Sequence, residues 1–248
     1  MGRPFEQRHE AEVPATPEEI WAAIATGPGI DSWFMGRNDV RPGPGGSVRT
    51  VFGEYAPELG VTAWDPGRRF AYRSDEVPDR RFIAYEFLIE GRAGGSTVLR
   101  AVTSGFLPGD DWADEFEAMS LGTEMYFRTL VEYLTHFAGR FARQVTAFGP
   151  LGTDWPRDRA RLARALKLTA APRPGDQATV AGDGIAPADG TVYVASAHAI
   201  GVRTADALYR FQRGFGKPAM ISHQLFAEHA DPAGAQQAWE AWLRRTLT

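Results

Sequence analysis

The stretch that decides the fold runs from Phe82 to Phe137: FIAYEFLIEGRAGGSTVLRAVTSGFLPGDDWADEFEAMSLGTEMYFRTLVEYLTHF. In its first part Ile83, Tyr85, Phe87 and Ile89 alternate with Ala84, Glu86, Leu88 and Glu90. Leu99, Ala101 and Thr103 alternate with Val98, Arg100 and Val102 in the same way. A period of two marks strands with one buried face. Gly91-Arg92-Ala93-Gly94-Gly95 between the runs makes them a hairpin, Phe82–Glu90 to Thr97–Phe106, with the first-named residues facing inward. The period then changes. Phe116, Met119, Thr123, Phe127, Leu130, Leu134 and Phe137 follow at steps of three or four, the apolar stripe of one long helix with Tyr126 on its margin. Asp110 or Asp111 can cap this helix, Asp114, Glu115 and Glu117 place negative charge at its start, and Gly139 is positioned to end it. Thr123 interrupts the stripe and either back-bonds to its own helix or faces a ligand. Antiparallel strands with one long helix across their concave face give an α+β fold that traps an apolar pocket between the two layers.

Towards the N-terminus the reading continues in the same style. Phe5 to Val13 is a strand, and Thr16-Pro17-Glu18-Glu19 opens a helix with Thr16 as N-cap, Pro17 in the first turn and Glu19 completing a capping box. Ile20, Trp21 and Ile24 recur at helical spacing, and Gly27-Pro28-Gly29 is expected to end that helix. Ile30 to Phe34 reads as a second, short helical segment. Gly45-Gly46 then opens a strand with Val48, Thr50 and Phe52 on one face, and the turn Asp65-Pro66-Gly67 leads into Arg68–Ser74, where Phe70 and Tyr72 share a face.

The C-terminal part is less regular. Gly149 to Thr153 reads as a linker, Trp155-Pro156 starts an arginine-rich helix through Leu168, and Pro172-Arg173-Pro174-Gly175 breaks the chain again. Strand-like runs follow at 178–181, 191–197, 207–212 and 219–226. Asp231-Pro232 begins a last helix with Trp239, Trp242, Leu243 and Leu247 on its apolar side. Two domains are expected, 1–142 and 143–248. The second is either a shortened copy of the first that lacks the helix pair or an unrelated α+β extension.

Composition excludes several functions. Lys plus Arg is 27 against 31 for Asp plus Glu, a net charge of −4 that does not attract nucleic acid. The chain has no cysteine, which removes disulfides, thiolate catalysis and cysteine-ligated metals. No apolar run approaches the roughly 18 residues of a membrane span, the N-terminus lacks the apolar core of a signal peptide, and a cytoplasmic location follows as the expectation. His9, His136, His198, His223 and His229 include no pair at metal-binding spacing, so neither a metal nor a cofactor is expected, although His223 and His229 could approach one another. Ser104-Gly105 lacks the setting of a nucleophile elbow, and Gly43-Pro44-Gly45-Gly46 is too far from a helix to cradle phosphate. With no histidine between His9 and His136, the pocket is expected to lack an imidazole.

Gly45-Gly46-Ser47-Val48-Arg49, Gly60 to Tyr72, Gly95 to Arg100, Ser104-Gly105-Phe106 and the helix from Trp112 to Leu134 together resemble the START/Bet v 1-like (SRPBCC) superfamily, in its activator of Hsp90 ATPase homologue-like branch. The resemblance covers about residues 5–139 and implies a helix-grip fold, an antiparallel sheet wrapped around a long C-terminal helix. It also implies a cavity for apolar or aromatic small molecules. On the predicted faces Trp33 and Phe34 gate the mouth of that cavity. Phe52, Tyr72, Tyr85, Phe87 and Thr103 line its sheet side, and Met119, Thr123 and Tyr126 its helix side. The leading reading is a non-catalytic carrier of an apolar small molecule. A cyclase or hydrolase that folds its substrate and uses a Tyr or Asp as proton donor is the alternative. A chaperone partner is implied only by the family name and is not expected, and a homodimer is left open.

Overall fold

The computed structural model describes residues 2–77, 80–92, 96–107, 112–150, 154–214, 218–228 and 231–248. The chain divides into two compact units, Met1–Phe141 and Ala142–Thr248. The first contains β1 (Arg3–Val13), α1 (Pro17–Ala25), α2 (Gly27–Asp31), β2 (Arg37–Arg41), β3 (Ser47–Val51), β4 (Glu58–Asp65), β5 (Arg69–Arg73), β6 (Phe82–Gly91), β7 (Thr97–Leu107) and α3 (Trp112–His136). Its seven strands form one antiparallel sheet in the order β1-β7-β6-β5-β4-β3-β2. The hairpin read from the sequence is β6–β7, in register from Phe82 opposite Phe106 to Gly91 opposite Thr97. Residues 93–95 of its loop, and the proposed caps Asp110 and Asp111, lie outside the described residues.

The capping box is present. Thr16 Oγ1 accepts from the Glu19 N–H at 3.2 Å, and Glu19 Oε2 accepts from the Thr16 N–H at 2.8 Å. Replacing Thr16 with Ala orphans one of these donors and is expected to cost about 1 kcal/mol, read as a fall of a few degrees in Tm. Gly27-Pro28-Gly29 does not merely end α1. It forms the start of α2, because Thr26 caps the new helix by accepting from the Gly29 N–H at 3.0 Å while donating to the Ala22 carbonyl at 2.7 Å. Gly29 is needed there, since a Cβ would overlap the Ala22 carbonyl oxygen. The helical segment expected at Ile30–Phe34 is thus the tail of α2 and the turn after it.

Helix α3 buries Met125, Phe127, Thr129, Leu130, Tyr133 and Leu134, with Phe137 just beyond its end. A back-bond of the kind open to Thr123 is made six residues later, where Thr129 Oγ1 donates to the Met125 carbonyl at 2.8 Å. Gly139 has φ +77°, the left-handed conformation that stops the chain from continuing as helix.

The second unit contains β8 (Arg143–Phe148), α4 (Trp155–Ala165), β9 (Gln177–Gly182), β10 (Ile185–Ala195), β11 (Ala199–Arg203), β12 (Ala207–Arg213), β13 (Ala219–Leu225) and α5 (Pro232–Leu247). Its sheet order is β8-β13-β12-β11-β10-β9. Strands β8 and β11 were not anticipated: both are short, and β11, Ala-Ile-Gly-Val-Arg, has no polar alternation because four of its five residues are buried. Helix α4 is the arginine-rich helix expected from Trp155-Pro156, ending at Ala165 rather than Leu168, and it follows the first strand of the unit. The linker reading of Gly149 gives way to a ladder contact, its N–H donating to the Ala219 carbonyl at 2.7 Å, and residues 151–153 lie outside the described set. Trp239, Trp242, Leu243 and Leu247 of α5 join Leu162 of α4 in a core over Val180, Val202, Phe211 and Ile221. His223 is part of this packing, fully buried with its ring 4.4 Å from that of Trp239 and 4.8 Å from that of Tyr209. Its Nδ1 accepts from the Arg210 N–H at 3.1 Å. His229 lies outside the described residues.

Candidate functional site

Register across the first sheet places side chains of like character in rows. Gln7 on β1 lies opposite Thr103 on β7, Thr103 opposite Tyr85 on β6, and Tyr85 opposite Tyr72 on β5. This row is polar at every position. One step along, His9, Ala101, Phe87, Phe70 and Trp64 form an apolar and aromatic row. Both rows are on the inner face, since they comprise alternate residues of strands whose other face is more exposed.

Most of the predicted cavity residues come together here. The Tyr126 ring on α3 is 4.5 Å from Phe34, Phe34 is 5.3 Å from Trp33, and Trp33 is 6.1 Å from Phe87. Phe87 lies 6.5 Å from Tyr72, which lies 5.2 Å from Tyr85. These six rings form an unbroken series from the helix, through the turn after α2, to the sheet. Trp33 is fixed within it, its Nε1 donating to the Ala23 carbonyl at 3.0 Å. Thr103 is buried beside Tyr85. Met119 and Thr123 are half-buried on α3, and Phe52, expected on a strand face, instead pairs with Tyr55 through a lone bridge in the turn after β3.

The two tyrosines of the polar row have unusual surroundings. Burial pushes the pKa of the Tyr72 phenol far up, with the neighbouring Tyr85 adding to it. Burial does the same to Tyr85, reinforced by the phenols of Tyr55 and Tyr126. Both therefore stay protonated and serve as hydrogen-bond donors, yet neither hydroxyl has a hydrogen-bond partner among the described residues.

Two residues at the other end of the rows escaped the sequence reading. The expectation that no imidazole reaches the concave face is overturned by His9, whose ring stacks on Phe127 of α3 at 5.2 Å and 24°. The reason is the two-residue period of β1: Phe5, Gln7, His9, Ala11 and Val13 point inward while Glu6, Arg8, Glu10 and Glu12 are exposed. Applying that period to β1 as to the hairpin would have found both Gln7 and His9. Desolvation lowers the pKa of His9, an effect opposed by Glu124 and supported by Arg128. Gln7 donates from Nε2 to Ser120 Oγ on α3, and Ser120 Oγ donates to the Phe116 carbonyl at 2.7 Å.

A separate cleft of about 730 Å³ opens at the far edge of the sheet, between the α1–α2 corner and β2–β4. Trp21, Asp31, Arg37, Asn38, Arg49 and Trp64 are among its lining residues, and none of the ten predicted residues is. Asp31 is occupied in tying α2 to β2: its Oδ1 accepts from the backbone N–H and from the Nδ2 of Asn38, at 2.7 and 2.9 Å. Burial raises its pKa, with the Asn38 hydrogen bonds and Arg37 opposing.

Residues 14–135 match the family model described as "Activator of Hsp90 ATPase homolog 1-like protein". The first unit of this chain belongs to that family. No curated protein gave a sequence match to the chain. Among solved structures, the activator-like unit together with the second unit is similar to the di-domain ARO/CYC BexL from the BE-7585A biosynthetic pathway, at 15% identity over 98% of this chain and 96% of that one, with a TM-score of 0.47. DynU16, a putative protein in the dynemicin biosynthetic locus, is 17% identical over 98% and 95%, with a TM-score of 0.44. Protein MLL2253 from Mesorhizobium loti is 22% identical over 52% of this chain and 96% of its own, with a TM-score of 0.45. Among the described residues of the activator-like unit and its neighbour, no helix is long and apolar enough to cross a membrane.

Proposed function

We propose that the first unit is a helix-grip carrier, without catalytic activity of its own, that holds an aromatic or otherwise apolar small molecule between its sheet and α3. The observation that carries this reading is the series of six rings ending in two tyrosine hydroxyls, one on buried Tyr72 and one on half-buried Tyr85, that have no hydrogen-bond partner among the described residues. A bound molecule with an oxygen acceptor would give each of these hydroxyls a hydrogen bond, with a net gain of about 0.5–1.5 kcal/mol. Trp33, Phe34, Phe87 and Tyr126 supply the apolar contact, Tyr72, Tyr85, Thr103 and Thr123 the orienting hydroxyls, and Met119 and Phe52 the flexible and outer margins. The partner is a small molecule rather than nucleic acid, whose phosphates a net charge of −4 does not attract. A cysteine-free chain suits a cytoplasmic carrier.

We also propose that the second unit is a shortened copy of the first. In both, the first strand lies beside the last, the remaining strands follow as a meander, and a long helix closes the unit. The copy has one helix where the first unit has two, and six strands in place of seven.

Native mass spectrometry of freshly purified protein, followed by denaturing extraction, tests the carrier reading. A co-purifying aromatic or apolar compound is the expected result. A bare mass, together with no enhancement of 1-anilinonaphthalene-8-sulfonate fluorescence, would remove the proposal. Replacing both Tyr72 and Tyr85 with Phe is expected to leave the complex intact and to weaken it by no more than about tenfold per lost hydrogen bond. Turnover of the extracted compound that disappears in this double variant would instead make the protein an enzyme with a phenol proton donor.

A further inference from the structure

We infer that Gln7 and His9 form the specifying polar end of the site, and that its ligand is a hydroxylated aromatic rather than a plain hydrocarbon or an ether. The inference rests on the carrier reading and adds the class of ligand to it. Its starting point is a proton count. Ser120 has one hydroxyl proton, and it goes to the Phe116 carbonyl. Towards Gln7 the Ser120 oxygen can therefore only accept, so the Gln7 amide must present its NH2 group to it. This fixes the side-chain orientation and leaves Oε1 pointing elsewhere. That oxygen is buried and has no hydrogen-bond partner among the described residues.

Two residues along the same strand, His9 Nε2 is also buried without a partner. Stacking on Phe127 holds its ring in place, so the nitrogen cannot turn out to water without giving up that contact. Orphaned buried polar atoms are uncommon in folded proteins. Here two of them occupy successive inward positions of one strand, about 7 Å apart along it. Within the sheet only Ala101 and Thr103 on β7 lie between Gln7 and His9 and the Phe87 and Tyr85 of the aromatic series, and both are small.

The donor and acceptor pattern then dictates the ligand. Gln7 Oε1 can only accept, so the group it meets must carry a proton. Neutral His9 Nε2 can donate or accept and so completes the hydrogen bonding of a hydroxyl, which does both. The Tyr72 and Tyr85 hydroxyls at the far end of the row can donate to a second oxygen. An aromatic skeleton with a hydroxyl at one edge and an oxygen at the other satisfies all four groups. A hydrocarbon satisfies none, and an aryl ether leaves Gln7 orphaned.

Displacement of 1-anilinonaphthalene-8-sulfonate by 2-naphthol and by 2-methoxynaphthalene isolates the hydroxyl proton on one skeleton. The wild-type protein is expected to bind 2-naphthol about tenfold more tightly than the ether. Gln7→Leu should abolish that preference and leave the affinity for 2-methoxynaphthalene unchanged. His9→Phe keeps a ring to stack on Phe127 and should reduce the preference part-way, which decides the matter if Gln7→Leu does not fold. Equal affinity of wild-type protein for the two probes would overturn the inference and leave the carrier reading standing. Equal loss of both probes in either folded variant would also overturn it, since the residue would then be scaffold. Binding of neither probe to the wild type would sink both readings together.

Discussion

Acidification from pH 7 to pH 5 is expected to destabilise the second unit by up to about 2 kcal/mol through His223 alone. The sign follows from where the proton is held. Burial, with the Arg210 guanidinium adding to it, lowers the His223 pKa well below the ordinary value, and a hydrogen bond involving Ser222 opposes the shift only in part. In the unfolded chain the same imidazole titrates near pH 6.5. Below that value the unfolded state takes up a proton that the native state refuses, so stability falls as pH drops, by up to about 1.4 kcal/mol per pH unit. The loss continues until the native site itself protonates. Urea unfolding between pH 7 and 5, followed on the wild type and on His223→Gln, checks this. Gln can offer its Oε1 to the Arg210 N–H in place of Nδ1, so the variant should show a much flatter profile. Parallel profiles for the two proteins would show that His223 is not the source of the pH dependence.

Phe70→Ala is expected to be the most damaging single change in the first unit, at about 3–5 kcal/mol. Phe70 is fully buried, and its ring lies 5.1 Å from Tyr72, 5.3 Å from Trp64 and 6.0 Å from Trp21. Truncation opens a cavity at the point where α1, β4 and β5 meet, and the large flanking rings cannot all shift to fill it. Natural domains have only about 5–15 kcal/mol of stability, so most of the margin would go. Phe70→Leu keeps most of the volume and should cost about 1–2 kcal/mol. Guanidinium unfolding monitored by tryptophan fluorescence gives both values. A loss below about 1 kcal/mol for the Ala variant would mean that the three neighbouring rings are far less constrained than their packing implies. Because Tyr72 rests on Phe70, the Ala variant should also weaken 1-anilinonaphthalene-8-sulfonate binding under conditions where it remains folded, whereas the Leu variant should not.

The elements with a strong local signal were legible in the sequence. The β6–β7 hairpin, the Thr16 capping box and α3 each announce themselves through a period or a pair of residues a few positions apart. The rings of Trp33, Phe34, Tyr72, Tyr85, Phe87 and Tyr126 could be nominated for the same reason, since period and aromatic character point them inward. What could not be read depends on pairing between distant segments. The two-residue period of β1 turns Gln7 and His9 inward, but that they meet Ser120 and Phe127 shows only when α3 is placed above β1. Strand β11 shows no alternation because both its faces are covered, which erases the signal on which strand recognition relies. The α1–α2 corner was misread because Gly-Pro-Gly usually marks the end of an element. Here Thr26 supplies the cap that lets the same residues begin one.

The pairing of β1 with β7 also governs the order of events when the chain is made. Partners such as Arg3 and Leu107 are roughly a hundred residues apart in sequence, so the sheet has a high contact order and closes slowly. At a synthesis rate of about 5–20 residues per second, β1 leaves the ribosome roughly 5–20 s before its partner exists. Throughout that interval its backbone N–H and carbonyl groups lack the β7 partner and can join a similar segment of a neighbouring nascent chain. Its outward side carries Glu6, Arg8, Glu10 and Glu12, three of them acidic. Stacked in register on another copy, these charges repel, and the strand is kept available for the partner that arrives last.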